Sequence, residues 1–196
     1  DYYASRGLGD VYKRQELVGP LVESIINVAD DRNILFFGHS MGAAMAFYAA
    51  AYMAQNYGRE PRKIVVAGRQ APNEVNLTEF KSYMDDDALI KELIRYQATP
   101  KEILQNQELL SFVLPEVRRD YKLNESFIYR GECINSPLIL HSGVNDIEAN
   151  KEIMQRWSSV TKKVVRMREF QSDHFFVLNL GNEYWEQLYR DLLLSL

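Results

Sequence analysis

One stretch constrains this chain more than any other: residues 34–50, ILFFGHSMGAAMAFYAA. Ile34, Leu35, Phe36 and Phe37 form a short unbroken apolar run, as a strand buried on both faces requires. From Met41 onward to Tyr57 the residues are helical and many are small, so that helix can lie close against a sheet. Two glycines, Gly38 and Gly42, bracket the junction around His39, Ser40 and Met41. A buried strand that turns straight into a helix implies a parallel sheet, because parallel neighbours need a crossover connection. The next strand follows at Lys63–Ala67, KIVVA, closed by Gly68.

The rest of the chain repeats the alternation. Residues 16–29 place Leu17, Leu21, Ile25, Ile26 and Val28 on helical spacing, and Asp30 and Asp31 end that helix. Strand signals return at 138–141, LILH, and at 164–167, with a helix at 149–157 between them. A closing helix is expected over 179–194, with Leu180, Tyr184, Leu188 and Leu192 on one stripe. Strands alternating with helices predict an α/β fold, a mostly parallel sheet flanked by helices.

Between these halves, residues 77–130 are helical throughout, with polar breaks at 85–87, 98–100 and 114–116. Thr99, Pro100 and Glu102 read as an N-cap, a first-turn proline and a capping-box acid. Its apolar residues, among them Leu89, Ile90, Leu93, Ile94, Ile103, Leu104, Leu109, Leu110, Phe112 and Val113, are mostly core, and some are available to line an apolar channel. The block is an insertion over the sheet rather than an independent domain.

The totals narrow the class. A chain of 196 residues can bury one real core. A formal charge of −4 offers nucleic acid no electrostatic footprint. The single cysteine, Cys133, cannot form an internal disulfide, which suits a reducing, cytoplasmic setting. No apolar run approaches the roughly 20 residues that span a bilayer.

Gly38-x-Ser40-x-Gly42 between a strand and a helix is the nucleophile-elbow pattern. The turn strains the serine backbone and pushes Ser40 Oγ clear of the sheet, and the small residues on either side let the chains pass. The Met41 N–H, at the start of the helix, is placed to meet a developing oxyanion. The alternative is a tight turn that merely contains a serine. Ser40 needs a base, and there are three histidines. His39 adjoins the serine, so its ring leaves in another direction and reads as a packing residue. His141 ends a strand and reads as a satisfied residue near the site. His174, in FQSDHFFVLN, follows the last strand at the sheet's C-terminal edge, where a base belongs. Asp146, in SGVNDIEANKEIMQRW, follows strand 138–141 on the same edge and can orient His174. Asp173 and Glu148 are its rivals, and an Asx turn before Ala149 is its structural alternative. The order Ser40, Asp146, His174 is that of α/β-hydrolases.

These residues, with VVAGRQAPN at 65–73, TPKEILQNQELLSFVLPEVRRDYKLNESFIYR at 99–130 and DHFFV at 173–177, resemble the type II thioesterases of nonribosomal peptide and polyketide synthesis. The resemblance covers nearly everything from Glu16 onward. It implies an α/β-hydrolase fold with a helical lid at about 77–130, and hydrolysis of acyl groups from the phosphopantetheine arm of carrier-protein domains. Carried over, Ser40 is the nucleophile, Asp146 the acid, His174 the base and Met41 N–H one oxyanion donor. Neither metal nor cofactor is required. The implied partner is an acylated carrier protein, met by a cytoplasmic monomer that binds neither nucleic acid nor membrane. A carboxylesterase of the same fold, and a fragment that binds carrier domains without turnover, are the alternatives.

Two departures accompany the resemblance. Ser172 and Asp173 stand before His174 where glycines are common, which sets a negative charge beside the base. The family's N-terminal strand and Phe-Pro-x-x-Gly-Gly-type loop, source of the second oxyanion donor, have no match in the chain. They belong upstream of Glu16, where Asp10 to Gln15, DVYKRQ, back-translates to a transposon end used in sequencing libraries. Residues 1–15 are therefore expected to be non-native, with the thioesterase domain at 16–196. One lost oxyanion donor costs roughly 2.7–4 kcal/mol of transition-state stabilisation. A strand edge left open beside residues 34–37 invites aggregation. The chain as written is expected to be poorly soluble and weakly active.

Overall fold

The computed structural model describes residues 14–29, 33–74, 81–96 and 99–193. In chain order they form α1 (Arg14–Ala29), β1 (Leu35–His39), α2 (Met41–Tyr57), β2 (Lys63–Ala67), α3 (Asp86–Tyr96), α4 (Lys101–Leu104) and α5 (Gln107–Glu125). There follow β3 (Leu138–Gly143), α6 (Lys151–Gln155), β4 (Val165–Phe170), α7 (Phe176–Asn179) and α8 (Asn182–Leu193). The described residues divide into two compact units, one of residues 18–29, 33–74 and 128–193, the other of residues 14–17, 81–96 and 99–127. The suspected non-native segment, residues 1–15, lies almost wholly outside the described residues, as do Asp30 and Asp31.

The larger unit is built on a parallel sheet in the order β1-β2-β3-β4. β2 and β3 are buried from end to end, which is why both appear in the sequence as apolar runs rather than alternations. β4 is an edge strand with Arg166 and Arg168 exposed, and charges there discourage further pairing. Among the described residues β1 pairs only with β2 and forms the other edge.

The pleat sends alternate side chains to opposite faces. On one face Val65, Ala67, Ile139 and Phe170 pack with Phe176 and Val177 of α7 and Tyr184 and Leu188 of α8. α2 and α6 connect neighbouring strands in the same direction across the sheet, so right-handed crossovers set both on the other face. There Phe47 meets Trp157 edge to face at 5.7 Å, and the indole N–H donates to the Arg69 carbonyl at 2.7 Å.

A polar cluster ties α8 to the strands. His141, fully buried on β3, has Nδ1 3.1 Å from the Tyr184 hydroxyl and Nε2 3.1 Å from Asp191 Oδ2. Arg168 donates to both Asp191 oxygens at 2.7 and 2.8 Å. Lys63 donates to the Asp191 and Leu192 carbonyls at 2.7 and 3.2 Å, satisfying orphan groups of the last helical turn. Burial opposes the Asp191 charge, but hydrogen bonds from His141, Arg168 and Gln187 outweigh it and hold the carboxyl below its ordinary range. Burial lowers the His141 imidazole below its ordinary value. His141 is thus a satisfied structural residue.

Several boundaries differ from expectation. The closing helix is two helices, α7 and α8, divided at Gly181, whose φ of 52° is left-handed. The stripe itself holds, since Leu180, Tyr184, Leu188 and Leu192 all join one core. α1 buries Val18 and Val22, whereas Val28 is exposed. Gly19 lies on the same face, close to α2: a Cβ there would stand 3.3 Å from Tyr52 Oη.

The helical unit has its own core. Leu89 of α3 packs with Leu110 and Leu114 of α5, and Ile90, Leu93, Ile103, Val117 and Tyr121 surround them. Ile94, Leu109 and Phe112 are exposed instead. Arg118 donates to the carbonyls of Ser82 and Met84 and, at 2.7 Å, to Asp86 Oδ1. Glu125 accepts from the Ser82 amide at 3.0 Å and from its hydroxyl. The break at 85–87 is a cap, with Asp85 Oδ1 accepting from Ala88 N at 2.8 Å. The break at 114–116 is absent: α5 runs through Pro115. The Thr99 cap is also absent, because Pro100 keeps extended ψ at 142° and stands at the N-cap itself, with no side-chain cap bond.

Candidate active site

Ser40, Asp146 and His174 follow the C-terminal ends of β1, β3 and β4, three strands of one parallel sheet, so all three emerge at one edge. Short backbone bonds carry the sheet past the strand ends and knit that rim together. Ser40 N donates to Ala67 O at 2.9 Å, Gly68 N to His141 O at 2.9 Å, Val144 N to Phe170 O at 2.9 Å and Asn145 N to Ser172 O at 3.0 Å.

The elbow is strained as the pattern requires. Ser40 has φ 52° and ψ −118°, and it is the one non-glycine with positive φ among the described residues. Strain of this kind costs on the order of 1–3 kcal/mol and persists only where its surroundings enforce it. Ser40 stands at the N-cap of α2 without capping it through its side chain. Its hydroxyl is not spent on the helix. Met41 opens that helix, so its N–H has no carbonyl four residues earlier to serve. The two glycines differ. A Cβ at Gly38 would lie 2.1 Å from Gly42 O, whereas a Cβ at Gly42 would meet nothing within 4 Å. The tight crossing is between Gly38 and the backbone of the helix's first turn.

Asp146 is 2 % exposed, and both carboxylate oxygens are used. Oδ2 accepts from His174 Nδ1 at 2.8 Å. Oδ1 accepts from the amides of Glu148 and Ala149, each at 3.0 Å. The Asx turn and the bond to His174, alternatives in the sequence, are both made by this one carboxylate. Holding the proton on Nδ1 leaves Nε2 of His174 with a lone pair, the tautomer a base needs.

Asp173, the rival acid, turns away. Its Oδ1 accepts from Phe175 N at 2.8 Å and Asn179 Nδ2 at 2.9 Å, so its charge serves the first turn of α7. Gly143, which the sequence reading did not single out, sets the distance between the acid and base loops. A Cβ there would lie 2.3 Å from Asp173 O and 2.6 Å from Ser172 O. The signal was available as the glycine closing LILHSG. The second oxyanion donor, expected upstream of Glu16, lies outside the described residues. Among the described residues no three His, Cys, Asp or Glu side chains gather as metal ligands would, and no helix is long and apolar enough to cross a membrane.

A family model described as a thioesterase domain matches residues 5–192. The chain is 30% identical over 182 residues to the thioesterase PikA5 of Streptomyces venezuelae, covering 90% of this chain and 63% of the relative. It is 29% identical over 182 residues to the gramicidin S biosynthesis protein GrsT of Aneurinibacillus migulanus, covering 92% and 70%. The solved structure of YbtT, a type II thioesterase from the yersiniabactin pathway, superposes with TM-score 0.81 at 28% identity, over 93% of this chain and 74% of that one. The chain spans 57–70% of the length of the first three curated relatives it matches. Its parallel sheet flanked by helices is the α/β-hydrolase fold of these neighbours. On the match over nearly its whole length, the chain belongs to the thioesterase domain family.

Proposed function

We propose that the chain hydrolyses acyl thioesters held on the phosphopantetheine arm of carrier-protein domains, as an editing or release enzyme of peptide or polyketide assembly. The observation that carries the reading is the His174 Nδ1–H bond to Asp146 at 2.8 Å, set on the same sheet edge as the strained Ser40. The names of the relatives supply the substrate class: a thioesterase, a gramicidin S biosynthesis protein and a yersiniabactin type II thioesterase.

In this reading His174 Nε2 takes the proton of Ser40 Oγ as the oxygen attacks the thioester carbonyl. The oxyanion is met by Met41 N–H. Collapse breaks the carbon–sulfur bond, and the pantetheine thiolate leaves with the proton from His174. Water, deprotonated by His174, then attacks the acyl-serine; the carbon–Oγ bond breaks, His174 returns the proton to Ser40 Oγ, and the acid is freed. The enzyme acts as a cytoplasmic monomer.

The test compares an acyl carrier-protein thioester with the matching simple oxygen ester, on wild type and Ser40→Ala. Preferential thioester hydrolysis is expected, lost by roughly 10³-fold or more in the variant. Equal or greater turnover of the oxygen ester would point to a carboxylesterase. A variant as active as wild type would remove Ser40 from the chemistry.

A further inference from the structure

We propose that His39 is a positioning residue for the base: its Nε2–H holds the main-chain carbonyl of His174 and thereby fixes where the His174 ring presents its free nitrogen. The inference rests on the reading of His174 given above and deepens it.

The carrying observation is the 2.8 Å separation of His39 Nε2 and His174 O. A carbonyl oxygen only accepts, so Nε2 of His39 is the nitrogen that bears the proton. His174 is then held through its ring and through its backbone. Its ring is held by Asp146 at 2.8 Å, and its backbone by His39. The ring bond alone sets rotation and tautomer. The bond from Asn145 N to Ser172 O, 3.0 Å, ties the start of the same loop to the acid's loop, and the His39 bond adds an anchor at His174 itself.

The second anchor has a particular origin. His39 is the last residue of β1 and immediately precedes Ser40. Nucleophile and base are therefore both referred to the same two residues of backbone. The His39 ring is packed for this position: 4.9 Å from the His174 ring, 6.3 Å from Phe175 and 5.6 Å edge-on from Phe176, centroid to centroid. Gly68 makes the room, since a Cβ there would lie 2.8 Å from His39 Nε2 and 3.5 Å from His174 Cε1. Burial, with the neighbouring His174, lowers the His39 imidazole to about 4. It is neutral at physiological pH and adds no second positive charge when His174 takes up a proton. The Gly-x-Ser-x-Gly pattern itself asks for no particular residue at this position.

The test uses the full chain and two variants. His39→Phe keeps an aromatic ring and removes the donor. His39→Gln offers an amide N–H near the place of Nε2. Turnover of an acyl-pantetheine thioester is measured with its pH profile. The far-downfield proton resonance of the His174–Asp146 bond, assigned by its loss in His174→Ala, is followed by NMR. H39F is expected to lower kcat about tenfold to hundredfold at unchanged KM, to displace the acid limb of the pH profile, and to weaken the resonance. H39Q is expected to recover most of the rate and the signal. Equal losses in H39F and H39Q, a loss confined to KM, or an unaltered resonance in H39F would overturn the proposal. A wild-type chain that shows the resonance but turns over no thioester sinks the substrate assignment, and the resonance comparison still decides the role of His39.

Discussion

At position 38 one carbon atom decides whether the elbow closes. The pattern names two glycines as if they were equivalent, but only Gly38 faces backbone, 2.1 Å from Gly42 O if a Cβ is added. Neither partner can move, because one is a strand and the other the first turn of a helix. Gly38→Ala should therefore cost about 1–3 kcal/mol or more as overpacking. Gly42→Ala, inside α2 with open space around it, should be neutral or stabilising by up to about 1 kcal/mol. Urea unfolding of both variants checks this, and an equal loss in the two would refute the distinction. The need for small residues here was legible in the sequence. Which of them the crossing depends on was not, because the clash is between atoms whose separation only the turn determines.

Elements follow the same division. The stripe Leu180, Tyr184, Leu188, Leu192 marks the buried face of the closing segment without ambiguity, because burial and helical period coincide there. The break within it at Gly181 did not show, since glycine is tolerated inside helices as well as at their ends. Pro115 misled in the opposite direction. Proline removes one helical hydrogen bond and crowds the carbonyl four residues back, yet α5 continues through it. Leu110 and Leu114 before it, and Val117 and Tyr121 after it, all pack with Leu89 and its neighbours, so tertiary contacts override the local penalty. Pro115→Ala should recover part of the roughly 3 kcal/mol that an interior proline costs. A rise in the thermal midpoint of the helical unit, with greater helicity by circular dichroism, is the expected result. A fall would mean that the Leu89 core depends on the Pro115 ring.

Across the larger unit, two imidazoles are kept neutral by the fold. Burial lowers both His39, to about 4, and His141. In the unfolded chain each returns to about 6.5. For His39, between those values the unfolded state binds more protons than the native state, so stability is lost as pH falls from about 6.5 towards 4, and His141 adds to the loss in the same direction below about 6.5. Each histidine contributes a slope of at most about 1.4 kcal/mol per pH unit. Urea midpoints between pH 7.5 and 4.5 should show the loss, and His39→Gln should lessen it by the share of one group. A midpoint independent of pH across this window would show that neither ring is desolvated as the structure has it. The two rings serve different ends. His141 holds α8 to the sheet through Asp191 and Tyr184, and His39 bonds the main-chain carbonyl of His174.

By itself the sequence determined the class of fold, the elbow and the order of the three site residues. These depend on periodicity and on residue types whose chemistry is local: apolar runs, a serine between glycines, a histidine and an aspartate after strands. Tertiary structure alone decided that Asp146 rather than Asp173 meets His174, that Gly143 sets the gap between their loops, and that His39 is a donor to His174 O as well as a packing residue. Each of those is a distance between residues 28 to 135 positions apart, or a loop crossing, between segments far apart in the chain. Chain order states which residues are present, but only the closed sheet edge brings their atoms within hydrogen-bonding reach.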